Sequence, residues 1–232
     1  WDQSIRKIHS EEIETLQNSD YLRRLIFDEI ISNFLISSEI RKKIKKIKKK
    51  EKIFDPNICQ KYLKKFNFIL TNDQIKAMKE INNDLKSKQR MFRLLQGDVG
   101  SGKTIIALIA ALNVIKSGFQ VALMVPTEIL AKQHYNFASD LFGKDISIEL
   151  LTGKTEYKQK KSTLENIKQN KIKLIIGTHA LFQKKVDYKN LGLIIIDEQH
   201  KFGVRQRKEL SDKGGNNCDV LVMSATPIPR TM

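Results

Sequence analysis

The sequence predicts an α/β fold with a doubly wound, mostly parallel sheet, preceded by an α-helical extension. Three observations carry this expectation. From about residue 65 onward, short β-branched runs alternate with longer amphipathic stretches, the pattern of strands and helices taken in turn. The short runs are apolar nearly throughout instead of alternating, as expected of strands covered by helices on both faces. Residues 1 to about 60 contain no glycine and one proline, Pro56, and their leucines and isoleucines recur at helical spacing.

The extension comes first. Leu22, Leu25, Ile26, Ile30 and Phe34 share one helical face, and so do Ile40, Ile44 and Ile47, at the start of and within the basic run 41–50. That second stripe reads as a lysine-coated helix. Its lysines are either a solvated face or a contact surface for a phosphate backbone, which needs no fixed geometry. Pro56 marks the expected end of the extension. We therefore expect a helical extension over 1–62 and an α/β lobe over 63–232. Strands are expected at 93–96, 120–125, 147–151, 173–177, 193–197 and 220–224. Helices are expected at 73–86, 103–117, 128–142 and 156–169, with a short one after Gly203. In such sheets ligands sit at the carboxyl ends of the strands.

Composition sets outer bounds. Hydrophobic residues make up 41% of the 232, enough for a real core and too many for wholesale disorder. A net charge of +16 fits a polyanionic partner such as nucleic acid, and fits equally a general lysine-rich bias. Cys59 and Cys218 lack partners at metal-ligand or redox spacing, so both read as reduced thiols of a cytoplasmic protein. No apolar run is long enough to span a bilayer, and no signal pattern opens the chain. The chain starts on Trp1 and stops at Met232 directly after a motif, which reads as an excised piece.

Two motifs bring chemistry. Gly97, Asp98, Val99, Gly100, Ser101, Gly102, Lys103 and Thr104 fit G-x-x-x-x-G-K-[ST] between a strand and a helix. The glycines let the backbone turn successive N–H groups inward, and the helix start adds partial positive charge. Lys103 is expected to reach the β- and γ-phosphates of ATP, and the Thr104 hydroxyl to ligate Mg²⁺. The run 193–196 then ends in Asp197 and Glu198, a Walker B arrangement. Neighbouring strand residues point to opposite sides, so Asp197 is expected in the metal shell and Glu198 at the attacking water as general base.

With these motifs placed, the chain resembles the RecG family of superfamily-2 DNA helicases. Residues 70–74, 124–131, 151–153, 177–183 and 223–231 resemble the ordered helicase motifs. The box Asp197-Glu198-Gln199-His200 with its continuation through Arg207 is similar to RecG in detail. Lys201 stands where RecG proteins usually carry Arg. The resemblance is strong over 66–232 and weaker over the extension, through Trp1, His9 and 24–29. It implies a RecA-like motor lobe that uses ATP to move on double-stranded or branched DNA, remodelling stalled forks and recombination junctions. It further implies that Gln74 reads adenine and that Pro126, Thr127, Glu128, Gly153, Thr178 and His179 contact DNA backbone. His200 joins the catalytic set by the same resemblance. Gln199, Ser224 and Thr226 would couple the γ-phosphate to lobe motion. By the same resemblance 1–62 is a helical connector from a wedge domain to the ATP-binding lobe over 63–232, and that wedge domain and a second lobe after Met232 are the expected missing partners. Without the second lobe's arginine, little DNA-stimulated turnover is expected, Arg205, Arg207 and Arg230 being on the wrong lobe to replace it. The rival readings are a transcription-repair coupling factor motor, or a nucleotide-binding module without appreciable turnover.

Overall fold

The computed structural model describes residues 23–24, 26–28, 31, 48–55, 57–65, 69–155, 157–183, 185–198 and 213–225. The chain divides into two compact units after Lys46. The described part of the first unit is a few helical residues, in which Arg24 pairs with Asp28 one turn on, 3.3 Å apart. The second unit, Ile47–Thr231, carries the sheet.

Six strands form this sheet: β1 (Phe92–Gln96), β2 (Gln120–Met124), β3 (Ile148–Leu151), β4 (Leu174–Gly177), β5 (Leu191–Ile196) and β6 (Asp219–Ser224). Their order is β1-β6-β5-β2-β4-β3, and every pairing is parallel. Among the described residues of this unit five helices accompany them: α1 (Ile58–Lys65), α2 (Asn72–Lys86), α3 (Lys103–Lys116), α4 (Glu128–Phe142) and α5 (Tyr157–Lys168). From β1 to β2 to β3 the chain advances one way across the sheet, and from β3 to β4 it turns back. Right-handed crossovers then require helices on opposite faces for the two directions. The core divides accordingly. Val121, Leu123, Leu193, Ile195, Leu221 and Met223 pack with α1 to α4 on one face, while Ala122, Ile194, Ile196, Val220 and Val222 pack with Ile167 of α5 on the other.

The expected all-apolar strands hold for the four interior ones. β2, β4, β5 and β6 are buried at every residue. The two edge strands differ, because each has a neighbour on one side only. β1 alternates exposed and half-buried positions, and β3 is buried only at Leu151. α3 is buried at every position from Ile105 to Ile115, as a helix apolar nearly all round must be. Its one polar residue there, Asn113, accepts from Cys59 Sγ (3.1 Å) and donates to Asn82 Oδ1 (2.9 Å).

One expectation is corrected at the end of the lysine run. Lys48 forms an isolated antiparallel bridge with Gln89, and 49–55 lie outside any helix. Lys49 and Lys52 are buried, not solvated. Both ammonium groups donate to Asp219, Lys49 at 2.8 and 2.7 Å and Lys52 at 2.6 Å, where Met91 N also donates at 2.6 Å. Lys49 further donates to the carbonyls of Asp84 and Leu85 at the carboxyl end of α2, where a helix has spare acceptors. Burial pulls the Lys49 ammonium below its ordinary range, against the pull of Asp219 in the other direction. This segment therefore clasps the amino ends of β1 and β6, at the pole of the sheet opposite its carboxyl ends. α1 follows on the same lobe, with Cys59 and Tyr62 in the main core. The chain thus joins the lobe well before the boundary expected near residue 62. The rest of the basic run 41–47, and the short helix expected after Gly203, lie outside the described residues.

Candidate nucleotide site and helicase motifs

All six strands run in parallel, so the residues after them gather along one rim. β1 is an edge strand beside β6, and β6 lies beside β5. This brings the glycine loop after β1, Ser224 at the tip of β6, and Asp197–Glu198 after β5 next to one another. A direct bond ties the first pair: Gly97 N donates to Ser224 O at 3.3 Å.

The loop is shaped by its glycines. Gly100 and Gly102 lie in the left-handed region, at φ +81° and +82°, which side chains disfavour. A Cβ on Gly102 would also stand 2.5 Å from Gln74 Nε2, and one on Gly97 would stand 2.7 Å from Ser101 Oγ. Ser101 N closes a turn onto Asp98 O. Gly102 is the N-cap of α3, so the first turn of that helix faces the loop. Lys103 Nζ donates to Gly97 O (2.6 Å) and Asp98 O (2.7 Å), which holds the ammonium within the loop. Thr104 sits half-buried behind it, and Val99 at the loop tip is 90% exposed.

Gln74 reaches the same loop. It closes a capping box at the start of α2, taking Thr71 N onto its oxygen (3.0 Å) while its own N–H bonds Thr71 Oγ1 (3.3 Å). Its amide nitrogen donates to Ser101 O at 2.8 Å. The structure thus gives Gln74 a role that the sequence did not predict: it fastens α2 to the phosphate loop.

Asp197 is held from three sides. Its N–H donates to Met124 O of β2 (2.9 Å), Oδ1 accepts from Glu198 N (3.0 Å), and Oδ2 faces His134 Nε2 of α4 at 2.9 Å. Glu198 has φ +52°, a left-handed backbone outside glycine that costs of order 1–3 kcal/mol and gathers at functional sites. His134 was missed in the sequence, where a lone helical histidine carries no signal. Gln199, His200 and Thr226 lie outside the described residues.

The residues expected at a DNA backbone separate into two kinds. Thr127 is exposed and caps α4, accepting from Leu130 N at 3.3 Å. Pro126 is half-buried before it. Glu128 opens the helix, and its carboxylate pairs with Lys154 at 3.3 Å, beside the exposed Gly153. His179 is exposed at the start of a 3-10 turn, 179–182. Thr178 is different: it is 3% exposed and its hydroxyl has no hydrogen-bond partner among the described residues. That hydroxyl is covered in this structure, beneath the rim. Gly177 before it is required by packing, since a Cβ there would stand 2.0 Å from Leu151 O.

The donor set fits a magnesium–nucleotide. Among the described residues no cluster of three or more His, Cys, Asp or Glu side chains is placed to hold a metal by itself. One carboxylate, one hydroxyl and the oxygens of a phosphate are the hard ligands that Mg²⁺ takes at such sites.

The comparisons agree with this geometry. The signature of the DEAD/DEAH box helicases matches residues 71–232. The chain belongs to that family. Within it, the chain is similar to RecG proteins. It is 51% identical over 215 residues to the ATP-dependent DNA helicase RecG of Aquifex aeolicus, covering 91% of this chain and 27% of that protein. The RecG of Borreliella burgdorferi is 44% identical over 231 residues, covering 98% of the chain and 33% of the relative. The lobe therefore spans about a third or less of the curated relatives it matches. A solved structure of RecG bound to a three-way DNA junction superposes with a TM-score of 0.78 at 43% identity, over 91% of this chain and 28% of that one. A hypothetical RNA helicase from Sulfolobus tokodaii, at 19% identity and TM-score 0.58, shares the fold, over 76% of this chain and 52% of that one. No helix among the described residues is long and apolar enough to cross a membrane.

Proposed function

We propose that this chain is the ATP-binding and hydrolysing lobe of a DNA helicase or translocase that remodels branched or double-stranded DNA. The observation that carries the reading is the meeting of the glycine loop, Ser224 and the Asp197–Glu198 tip on three adjacent parallel strands. The loop N–H groups and the start of α3 bind phosphate oxygens, and Lys103 adds its charge beside them. Thr104 and Asp197 would hold Mg²⁺, which when bound offsets the charge on those oxygens. Glu198 orients the attacking water and accepts its proton. Ser224, bonded to the loop through Gly97, senses a change there, and Gln199, His200 and Thr226 belong to the same relay by their motifs. Gln74 reads adenine from the helix that it fastens to the loop.

On the DNA side, the reading rests on Pro126, Thr127, Glu128, Gly153 and His179, which follow β2, β3 and β4 along the same rim. Contacts there go to the sugar–phosphate backbone and carry no sequence. Thr178 supports that surface from below.

Single-turnover, DNA-stimulated hydrolysis of Mg-ATP by a two-lobed version of the protein, wild type and Glu198→Gln, tests the assignment. The amide keeps the shape and cannot take the proton, so nucleotide affinity stays within about twofold while hydrolysis falls at least ~100-fold. Near-normal hydrolysis by Glu198→Gln would move the base elsewhere. Forked DNA should bind with an affinity that drops steeply with salt, and an affinity indifferent to salt would argue against a backbone track.

A further inference from the structure

α4 presents a buried stripe of Ala131, His134, Ala138, Leu141 and Phe142 toward the sheet. His134 is its one polar member, 7% exposed between two alanines that let the helix approach closely. Burying an imidazole without a partner costs about 1–3 kcal/mol, so an apolar residue would pack there at lower cost. What the imidazole gains is Asp197 Oδ2 at 2.9 Å. A carboxylate oxygen only accepts, so the Nε2 facing it carries the hydrogen.

We propose that His134 is a positioning residue for Asp197, donating from α4 to fix the carboxylate that holds the metal–nucleotide. This rests on the reading of Asp197 as a metal ligand given above. A carboxylate offers about four acceptor sites. Glu198 N occupies one on Oδ1 and His134 one on Oδ2, which leaves a free lone pair on each oxygen and removes the freedom to rotate. Among the described residues, without His134 the side chain is held only by Glu198 N, from a residue whose own backbone is in the left-handed region. The bond is nearly dry, with side-chain exposures of 8% and 13%, so water competes weakly for either partner. It also links the site to α4, the helix that starts at Thr127 on the rim. Partners of this outer kind typically change metal affinity 10- to 100-fold when removed.

The test titrates Mg²⁺ into this chain with a fluorescent ATP analogue and reads the Mg²⁺ concentration at half-maximal nucleotide binding. Wild type, His134→Gln, His134→Asn and His134→Phe are compared, with melting temperatures taken without Mg²⁺ or nucleotide. Gln carries an N–H near the position of Nε2, so its midpoint should lie within about threefold of wild type. Phe fills the space without a donor, and Asn is too short to reach Asp197; each should raise the midpoint at least ~10-fold. Should Phe fail to fold, the Gln and Asn pair decides, since both bury an amide and only one reaches. Equal midpoints in all variants, or equal weakening by Gln and Asn, would overturn the positioning role and leave the nucleotide site standing. If wild type itself binds nucleotide without any dependence on Mg²⁺, the metal-site reading fails first and His134 falls with it.

Discussion

Replacing Asp219 by Asn should destabilise the lobe more than any single change to the lysines around it. The carboxylate is fully buried at the start of β6 and accepts from Lys49 Nζ, Lys52 Nζ and Met91 N. Both ammonium groups are fully buried as well. Asn keeps the shape but removes the one negative charge between two positive ones. Leaving buried charge uncompensated costs about 3–5 kcal/mol, and two cations put this site at the upper end. With a denaturant slope of about 2 kcal/mol/M in urea, the unfolding midpoint should fall by roughly 2.5 M. Lys49→Met should cost less, about 1–2 kcal/mol. It takes a donor from Asp84 O and Leu85 O, yet leaves the Lys52–Asp219 pair and relieves the repulsion between the ammonium groups. Urea unfolding followed by circular dichroism measures both. A loss below about 1 kcal/mol for Asp219→Asn, or a larger loss for Lys49→Met, would refute the reasoning.

Two further outcomes follow from the same structure. Gly102→Ala should lower nucleotide affinity at least ~10-fold with a stability loss of about 1–2 kcal/mol, because φ is +82° and the new Cβ would displace Gln74 Nε2 from Ser101 O; equal binding by calorimetry would count against the role given to the loop. Stability should fall as pH rises above 9. Burial pushes the thiols of Cys59 and Cys218 from an ordinary 9 up to about 11 and about 12, and burial with Asp145 pushes Tyr62 from 10 up to about 12. Each group keeps its proton longer in the folded state, so its contribution is whole below the ordinary value and is lost as pH climbs toward the folded one. Burial pushes the Tyr188 hydroxyl up as well, and Lys49, lowered from 10.5, works the other way over its own window, one group against four. A urea midpoint that stays constant or rises between pH 8 and pH 10 would contradict this.

The elements were legible because their signals are local. Interior strands such as 120–124 and 191–196 are buried at every position, since both faces are covered, and from residue 69 on the expected limits that fall on described residues lie within two residues of those observed. The glycine loop and the acidic tip were legible for a similar reason: each places its chemistry within eight consecutive residues. What escaped depends on partners far along the chain. Lys49 and Lys52 sit in a run whose composition says surface, and their burial depends on a carboxylate 170 and 167 residues on. His134 means nothing until Asp197, 63 residues later, arrives beside it. Thr178 ends a strand as a phosphate-binding residue would, and only the packed rim shows that its side chain is covered. The left-handed backbone of Glu198 had no sequence signal, because glutamate has no preference for it.

The central claim, that the rim of this sheet holds a magnesium–nucleotide, is tested most directly by titrating a fluorescent ATP analogue into wild type and Lys103→Ala, each with Mg²⁺ and with chelator. Lys103 is held inside the loop by Gly97 O and Asp98 O, at the start of α3. Removing its charge should weaken binding by at least about 2 kcal/mol, roughly 30-fold, with the fold intact by circular dichroism. Saturable, Mg²⁺-dependent binding by wild type and its loss in Lys103→Ala is the predicted result. Equal affinity of the two proteins, or no binding by wild type at millimolar nucleotide, would contradict it.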